Sequence, residues 1–433
     1  MCILENNPRI KNKILQEPLF SESTKTGLLN SLLSKMRFIF SKVLTTKFTE
    51  FIAEEQGVEE LLFFENKHIS NHPLFTSFEN KLKNGYWEYL LKKYPLFQEC
   101  VENVIERTAI NIEQCIKDLF LDASILQSHF GIRVAKKNAL IKNLFLTEGC
   151  REYQLCSFII EFDDHKKIVY KPTRAKTNTS WLALQKWLRA YSSPFVPLIP
   201  FTFEKESYAW QEFITKEQLK KKSDIKKFVF QNGCINALAF LLGAKDLHSL
   251  NIFPTSSGLS IIDGEAMFSP VIDRKYITKK DVMDCGILFT GAKIYLSNYQ
   301  FIKRISDNDT HTWILNHRKE YIKGFKTMYH FFLKHKKKLM EDLTNPSGAL
   351  KDFYTANVRF FINLMHNYSA TLLNIRTELE HIENFEKEIE KISFCDASKI
   401  EEIQNFEKYH LRQFSIPTFY TDSNTTSIST IYR

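Results

Sequence analysis

Lys171, Asp246, Asn251 and Asp263 occur in the order that phosphoryl transfer requires. Lys171 closes the apolar run Lys166 to Lys171 (K-K-I-V-Y-K). Asp246, His248 and Asn251 share one short segment, and Asp263 ends the run Leu259 to Ile262. A strand lysine can hold phosphate oxygens, whose charge needs a nearby cation. A loop carboxylate can orient or deprotonate an acceptor hydroxyl. An Asn and a later Asp supply the hard oxygen donors that Mg²⁺ prefers. Asp246 to Asn251 is five residues, a loop short enough to turn both side chains inward. Asn251 to Asp263 is twelve, room for one tight hairpin that returns the Asp to the metal. Taken singly, each residue has a plainer reading. Lys171 would be a snorkelling strand-end lysine, His248 a satisfied loop histidine, and Asp263-Gly264 an ordinary turn. Only the ordered set points to chemistry.

The elements that must position these residues follow from periodicity. From Thr26 to about Lys142 the pattern is helical, with Leu28, Leu29, Leu32 and Leu33 at helix spacing. Val101 to Leu126 repeats it with Ile105, Ile110, Ile112, Ile116 and Leu119. The texture changes near residue 150. Leu155 to Phe162 reads as a strand, Asp163-Asp164-His165 as a turn, and Lys166 to Lys171 as the returning strand, which Pro172 ends. A helix from about Thr179 to Ala190 places Trp181, Leu184 and Leu188 on one face. A second hairpin spans Pro200 to Phe203 and Tyr208 to Ile214. A helix from about Phe228 to Leu242 places Phe230, Cys234, Leu238, Leu241 and Leu242 on one face, with Gly243 at its end. A third hairpin joins Ile252-Phe253 to Leu259–Ile262 through Ser256-Ser257-Gly258. Helical patterns resume around Trp313 to Leu339 and Asn357 to Ile392, and the Ser/Thr/Asn-rich tail from Tyr420 reads as loose.

The segment Leu241-Leu-Gly-Ala-Lys-Asp-Leu-His-Ser-Leu-Asn251, followed by Leu259-Ser-Ile-Ile-Asp-Gly-Glu265, closely resembles the dehydratase domain of type 2 (LanM-type) lanthipeptide synthetases. Ile168-Val-Tyr-Lys-Pro172 and Trp210-Gln-Glu-Phe213 are similar to further motifs of that family, as are Val358-Arg-Phe-Phe361 and Ile416-Pro-Thr-Phe419. The resemblance runs over roughly residues 80 to 425. It implies an α+β fold: a bilobal core like that of lipid and protein kinases, with a small antiparallel sheet, embedded in helical N- and C-terminal regions. The implied organisation is a helical region at 1–145, an N-lobe at 146–215, a C-lobe at 216–345, and a helical region with a loose tail at 346–433. It also implies ATP and Mg²⁺ as cofactors, phosphorylation of Ser or Thr in a precursor peptide, and elimination of the phosphate to a dehydroamino acid. On this resemblance Lys171 and Glu212 belong to the nucleotide site, with Glu265 assisting the phosphate–metal region. Asp246 handles the hydroxyl, His248 supports the loop, and Asn251 and Asp263 hold magnesium.

Two departures bear on elimination. The family's G-D-x-H element corresponds here to Glu148-Gly-Cys-Arg-Glu152, and no Asp or His occurs from Thr147 to Phe162. The later R-F-x-F-R-x-T element reads Arg359-Phe-Phe-Ile-Asn-Leu-Met365, so Arg359 is kept while Asn363 and Met365 replace the second Arg and the Thr. Methionine cannot donate a hydrogen bond to departing phosphate. Elimination needs a base for the α-proton and stabilisation of the leaving group. The expected outcome is phosphorylation without elimination by the family's usual route. Arg151 as a clamp and Glu152 as a base are the substitutes that would restore a full dehydratase. The zinc-binding Cys-His context of the family's cyclase is absent, so no zinc is expected and ring closure would require a separate cyclase.

Composition bounds the remaining readings. The chain has 433 residues, 44% hydrophobic and 25% charged, which suits a sizeable core and excludes global disorder. Gly is scarce at 13, against a large fold with many glycine-rich phosphate loops. The net charge of +9 is compatible with an anionic ligand but equally with a lysine-rich surface. The short runs at Lys220–Lys222, Lys226–Lys227 and Lys334 to Lys338 read as solvated helix faces, and no pattern suggests nucleic-acid binding. Eight cysteines without a C-x-x-C pair read as reduced thiols. With no signal core and no apolar run near 20 residues, a cytoplasmic protein without a membrane span is expected. On the residues alone the acceptor stays open: a leader-bearing precursor peptide, another Ser/Thr-bearing protein, or a small molecule or lipid headgroup. An inactive leader-binding scaffold is the third class, which the intact set of Lys171, Asp246, Asn251 and Asp263 disfavours.

Overall fold

Helices with Phe, Leu and Ile at helical spacing take up most of the described residues, and short β-branched runs supply small antiparallel sheets between them. The computed structural model describes residues 16–57, 72–93, 95–134, 141–147, 157–172, 176–242, 244, 247, 251–264, 308–345, 348–350, 354–357, 405, 409, 419–422 and 428–429. The architecture is α+β. The described residues pack as two units that divide between Lys167 and Ile168.

The first unit is mainly helical. Helix α1 (Glu22–Gln56) starts at Ser21, whose hydroxyl caps the Thr24 N–H at 3.1 Å. Its far end buries Phe48, Phe51 and Ile52 against Phe78 of α2 (Phe75–Lys81). After α3 (Trp87–Lys93), α4 (Pro95–Leu121) turns Val101, Val104, Ile105, Ala109, Ile112 and Leu119 inward, while Ile110 is exposed. Helix α5 (Ala123–Phe130) ends at Gly131 in the left-handed region, and the Lys166 ammonium donates to its carbonyl at 2.6 Å. Residues 141 and 142, expected at the end of the helical region, instead begin strand β1 (Ile141–Leu146). Two long-range interactions override the local pattern. β1 pairs antiparallel with β2 (Phe158–Phe162), and Thr24 Oγ1 donates to the carbonyls of Ile141 and Lys142. A tight turn at 163–165, closed by Phe162 N–H to the Lys166 carbonyl at 2.9 Å, leads out of β2.

The second unit opens within β3 (Lys167–Lys171), which pairs antiparallel with β5 (Ala209–Glu212). That strand in turn pairs with β4 (Thr202–Glu204). Tyr170 and Trp210 face each other across the ladder with ring centroids 4.9 Å apart, a buried aromatic pair that pins the register. Between β3 and β4 runs α6 (Lys176–Ala190), with Trp181, Leu184 and Leu188 buried as the periodicity predicts and Trp187 added to them. Helix α7 (Lys222–Leu242) is buried almost all round from Phe228 to Ala239, more than the single face expected from its spacing. The reason is a second apolar partner. Helix α9 (Arg318–Thr344), which follows α8 (Asn308–Asn316), crosses α7 where Gly233 meets Gly324. A Cβ at either glycine would strike backbone of the other helix. Cys234 Sγ donates to the Gly324 carbonyl at 3.3 Å.

The hairpin β6 (Ile252–Thr255) and β7 (Gly258–Ile261) packs Ile252, Leu259 and Ile261 into the same core as α6 and α7. The lysine runs on α7 and α9 are exposed, as expected. The tail is not wholly loose. β9 (Phe419–Asp422) lies between β8 (Tyr354–Asn357) and β10 (Ile428–Ser429) in a three-stranded antiparallel sheet, because its backbone groups find partners in β8. Among the described residues, no helix is long and apolar enough to cross a membrane.

Candidate functional site

The site grows from two strand ends. In β3 the side chains alternate, so Ile168 and Tyr170 enter the core while Lys171 lies on the other face, opposite Ala209. That face also carries Gln211. Its amide donates to Thr202 Oγ1, which accepts as well from Asn178 of α6 at 2.7 Å. Polar side chains on the lysine's face thus tie β4, β5 and the start of α6 together.

The β6–β7 hairpin brings the second pair of residues. Ile252 opposes Ile261 in the ladder, and the next rung is Ile262 N–H donating to the Asn251 carbonyl at 2.9 Å. Asn251 and Asp263 are therefore held at the same end of one hairpin, as the spacing of twelve predicts. The hairpin is itself braced. Leu198 donates to the Leu259 carbonyl and accepts from Ile261 N–H, and Glu217 N–H donates to the Pro254 carbonyl. Lys171 Nζ stands 3.6 Å from Asp263 Oδ1, with both side chains mostly shielded. The structure thus joins Lys171, Asp263 and the Asn251 strand end.

The donor set fits magnesium. A carboxylate and an amide oxygen at adjacent rungs are hard donors, and Mg²⁺ is commonly held by one or two carboxylates plus phosphates and water. Among the described residues no group of three His, Cys, Asp and Glu side chains is assembled. Asn251 and Asp263 are the residues that would hold the ion, and the Lys171 ammonium lies beside them at Asp263.

Glu212 ends strand β5. It opposes Ile168, three rungs from Lys171, or roughly 10 Å along the strand. Its carboxylate accepts from Phe201 N–H at 3.2 Å while its own N–H donates to the Phe201 carbonyl. It fastens the chain before β4. Asp246, His248 and Glu265 lie outside the described residues, as do Arg151, Glu152 and Arg359. Their neighbours Ala244 and Leu247 are buried in the core with α6 and α7.

One residue of the site escaped the sequence reading. Trp181 of α6 donates its indole N–H to the Gly264 carbonyl at 2.6 Å, next to Asp263. At helical spacing it reads only as core, and nothing in the local pattern links it to a glycine 83 positions away.

Comparison with known proteins agrees with the motifs. Residues 94–291 match the family described as "Domain of unknown function (DUF4135)". The chain is also similar to the "Lacticin 481/lactococcin biosynthesis protein LcnDR2" of Lactococcus lactis subsp. lactis, at 21% identity over 231 residues. That match takes in 50% of this chain and 23% of the relative, so the chain spans about a quarter of the relative's length. The family match takes in Lys171, Asn251 and Asp263, and the two likenesses together support a LanM-like domain.

Proposed function

We propose that this protein is a kinase-type phosphotransferase of lanthipeptide biosynthesis, which transfers phosphate from Mg²⁺-ATP to Ser or Thr hydroxyls of a precursor peptide. The observation that carries the reading is the approach of Lys171 to Asp263, with Asn251 fixed at the same hairpin end. The order of elements supports it. A strand lysine on β3, a helix between β3 and β4, an antiparallel β3-β5-β4 sheet and a later hairpin ending in Asp are the parts of a kinase-like core.

In this reading the fold does the positioning. Lys171 neutralises phosphate oxygens from the sheet side, and Asp263 and Asn251 fix the metal-bound phosphates from the hairpin side. Magnesium, when bound, spreads the charge that develops on the transferred group. Asp246 accepts the proton of the attacking hydroxyl, His248 supports its loop, and Glu265 assists the phosphate–metal region. The bond formed joins the Ser or Thr oxygen to the γ-phosphorus, and the bond broken frees ADP. Elimination by the family's route is impaired, because Glu148 to Glu152 lacks the family's Asp and His, and Asn363 and Met365 replace its second Arg and its Thr beside the retained Arg359.

Mass spectrometry of a Ser/Thr-bearing precursor peptide incubated with the protein, ATP and Mg²⁺ tests both halves. A stable gain of one phosphate mass per modified residue is expected. A product lighter by water refutes the impaired-elimination half. An unmodified peptide, with nucleotide turnover unchanged in Asp263→Ala, refutes the kinase assignment.

A further inference from the structure

Asp263 is held not only by Lys171 but, through its neighbour, by α6. Trp181 is 1% exposed, and its indole N–H donates to the Gly264 carbonyl inside the core. The indole also fills the space beside Gly264. A Cβ there would collide with Trp181 Nε1 and sit 2.7 and 2.8 Å from Cε2 and Cδ1. This close approach explains why a glycine follows Asp263. α6 begins at Lys176, soon after Lys171, and Leu184, Trp187 and Leu188 anchor it in the same core. One helix therefore follows directly from the lysine strand and grips the backbone beside the aspartate.

The composition of α6 makes this grip informative. In kinase-like sites the strand lysine is commonly paired with a helix glutamate, which couples helix position to the nucleotide site. Residues Lys176–Ala190 contain neither Asp nor Glu, so α6 has no carboxylate to offer Lys171. Lys171 is ion-paired with Asp263 instead, and the helix reaches the site through a neutral indole donor and a backbone carbonyl.

We propose that Trp181 is a positioning residue, whose hydrogen bond to Gly264 sets the Asp263 carboxylate for metal–nucleotide binding. The inference rests on the assignment of Asp263 to the metal. Loss of the indole donor would free the Gly264 carbonyl to rotate, and with it the backbone that aims Asp263. Packing alone would not produce this effect, since an isosteric ring without a donor fills the same space.

Binding of Mn²⁺-ADP, followed by the paramagnetic signal of free Mn²⁺, tests the proposal without relying on turnover. The full chain is compared with Asp263→Ala, Trp181→Phe, and a chain carrying benzothienylalanine at position 181, which replaces the N–H with sulfur. Asp263→Ala should weaken Mn²⁺-ADP at least 100-fold. The benzothienyl chain should weaken it about 5- to 20-fold, with metal-free ADP bound within twofold of wild type and only a small drop in melting temperature from the lost buried bond. Trp181→Phe should show the same selective loss of Mn²⁺-ADP with a lower melting temperature, since its smaller ring leaves a cavity, and agreement of the two variants separates the lost donor from lost packing. If Asp263→Ala loses binding while both Trp181 variants bind as wild type, or lose metal-free ADP equally, the positioning role is wrong and the metal assignment stands. If Asp263→Ala binds Mn²⁺-ADP as well as wild type, both fall together.

Discussion

Lys171 Nζ and Asp263 Oδ1 stand 3.6 Å apart although α6, the β4–β5 hairpin, α7 and the β6–β7 hairpin separate them in the chain. The pair is mostly shielded, so each charge is held beside its opposite where water screens little. A lysine and an aspartate in this relation share one task, and substitutions at them should not act independently. Lys171→Met and Asp263→Asn should each lower phosphoryl transfer by about 10²–10³-fold, the usual cost of a lost electrostatic contact in a transition state. The double variant should be no more than about tenfold worse than the poorer single, because residues acting as a unit are non-additive. Steady-state transfer rates for the four proteins measure this, and full additivity would show that the two act separately.

Asn251 tests the metal set from its other side. Asn251→Leu keeps the side-chain size and removes the oxygen. Loss of one contact to a charged group, about 1.5–3 kcal/mol, should raise the Mg²⁺ concentration for half-maximal turnover roughly 10- to 150-fold. Asn251→Asp should restore most of it, since a carboxylate oxygen can take the same place. A Mg²⁺ titration of the three proteins decides it.

The crossing of α7 and α9 depends on two glycines. Gly324→Ala would drive a methyl into the Phe230 carbonyl, and Gly233→Ala into the Tyr321 carbonyl. Both obstacles are backbone and cannot rotate away, so each substitution should cost about 1–3 kcal/mol of stability by overpacking. Thermal or urea melts should show both variants less stable than wild type. Ser31→Ala on α1 serves as a control, since it removes only a hydroxyl bonded to its own helix at Gly27.

Asp342 links stability to pH. Burial pushes its carboxyl up, but the Lys338 ammonium at 2.9 Å and the Trp187 indole N–H at 2.9 Å outweigh that and hold it below the usual carboxylate range. A depressed folded-state pKa stabilises fully above the unfolded value of about 3.9, and the contribution is lost as pH falls through the folded value. Wild type should therefore lose stability between pH 5 and lower pH more steeply than Asp342→Asn. Trp187 fluorescence should report the same titration, and parallel stability curves for the two proteins would refute the linkage.

Cys234 should be chemically silent. Burial against α9 pushes its thiol up to about 12, and burial likewise raises Cys115, helped by the nearby Asp118. A thiol that stays protonated is a poor nucleophile. Peptide mapping after brief iodoacetamide treatment should find both unlabelled in the native protein and labelled in urea. Native labelling of Cys234 would show that the α7–α9 contact opens.

Much of the site was legible before the structure because it is built from local devices. A strand ending in Lys171 and Pro172, and a hairpin whose turn at Ser256-Ser257-Gly258 returns Asp263 to Asn251, are set by alternation, turn chemistry and residue spacing. These act over a few residues, and the strands and helices around them appear where the periodicity places them. Local pattern failed where distant partners decided the outcome. Ile141–Leu146 became a strand because β2 and the Thr24 hydroxyl satisfied its backbone, and Phe419–Asp422 became one because β8 was there to pair with it.

The amino-acid sequence by itself determined which residues could carry the chemistry and the hairpin that joins two of them. Only the tertiary structure decided that Lys171 reaches Asp263, that Glu212 fastens Phe201, and that Trp181 grips Gly264. Those outcomes depend on strand register and on helices packed against a shared core. Such contacts join residues far apart in the chain, and no periodicity along the chain encodes them.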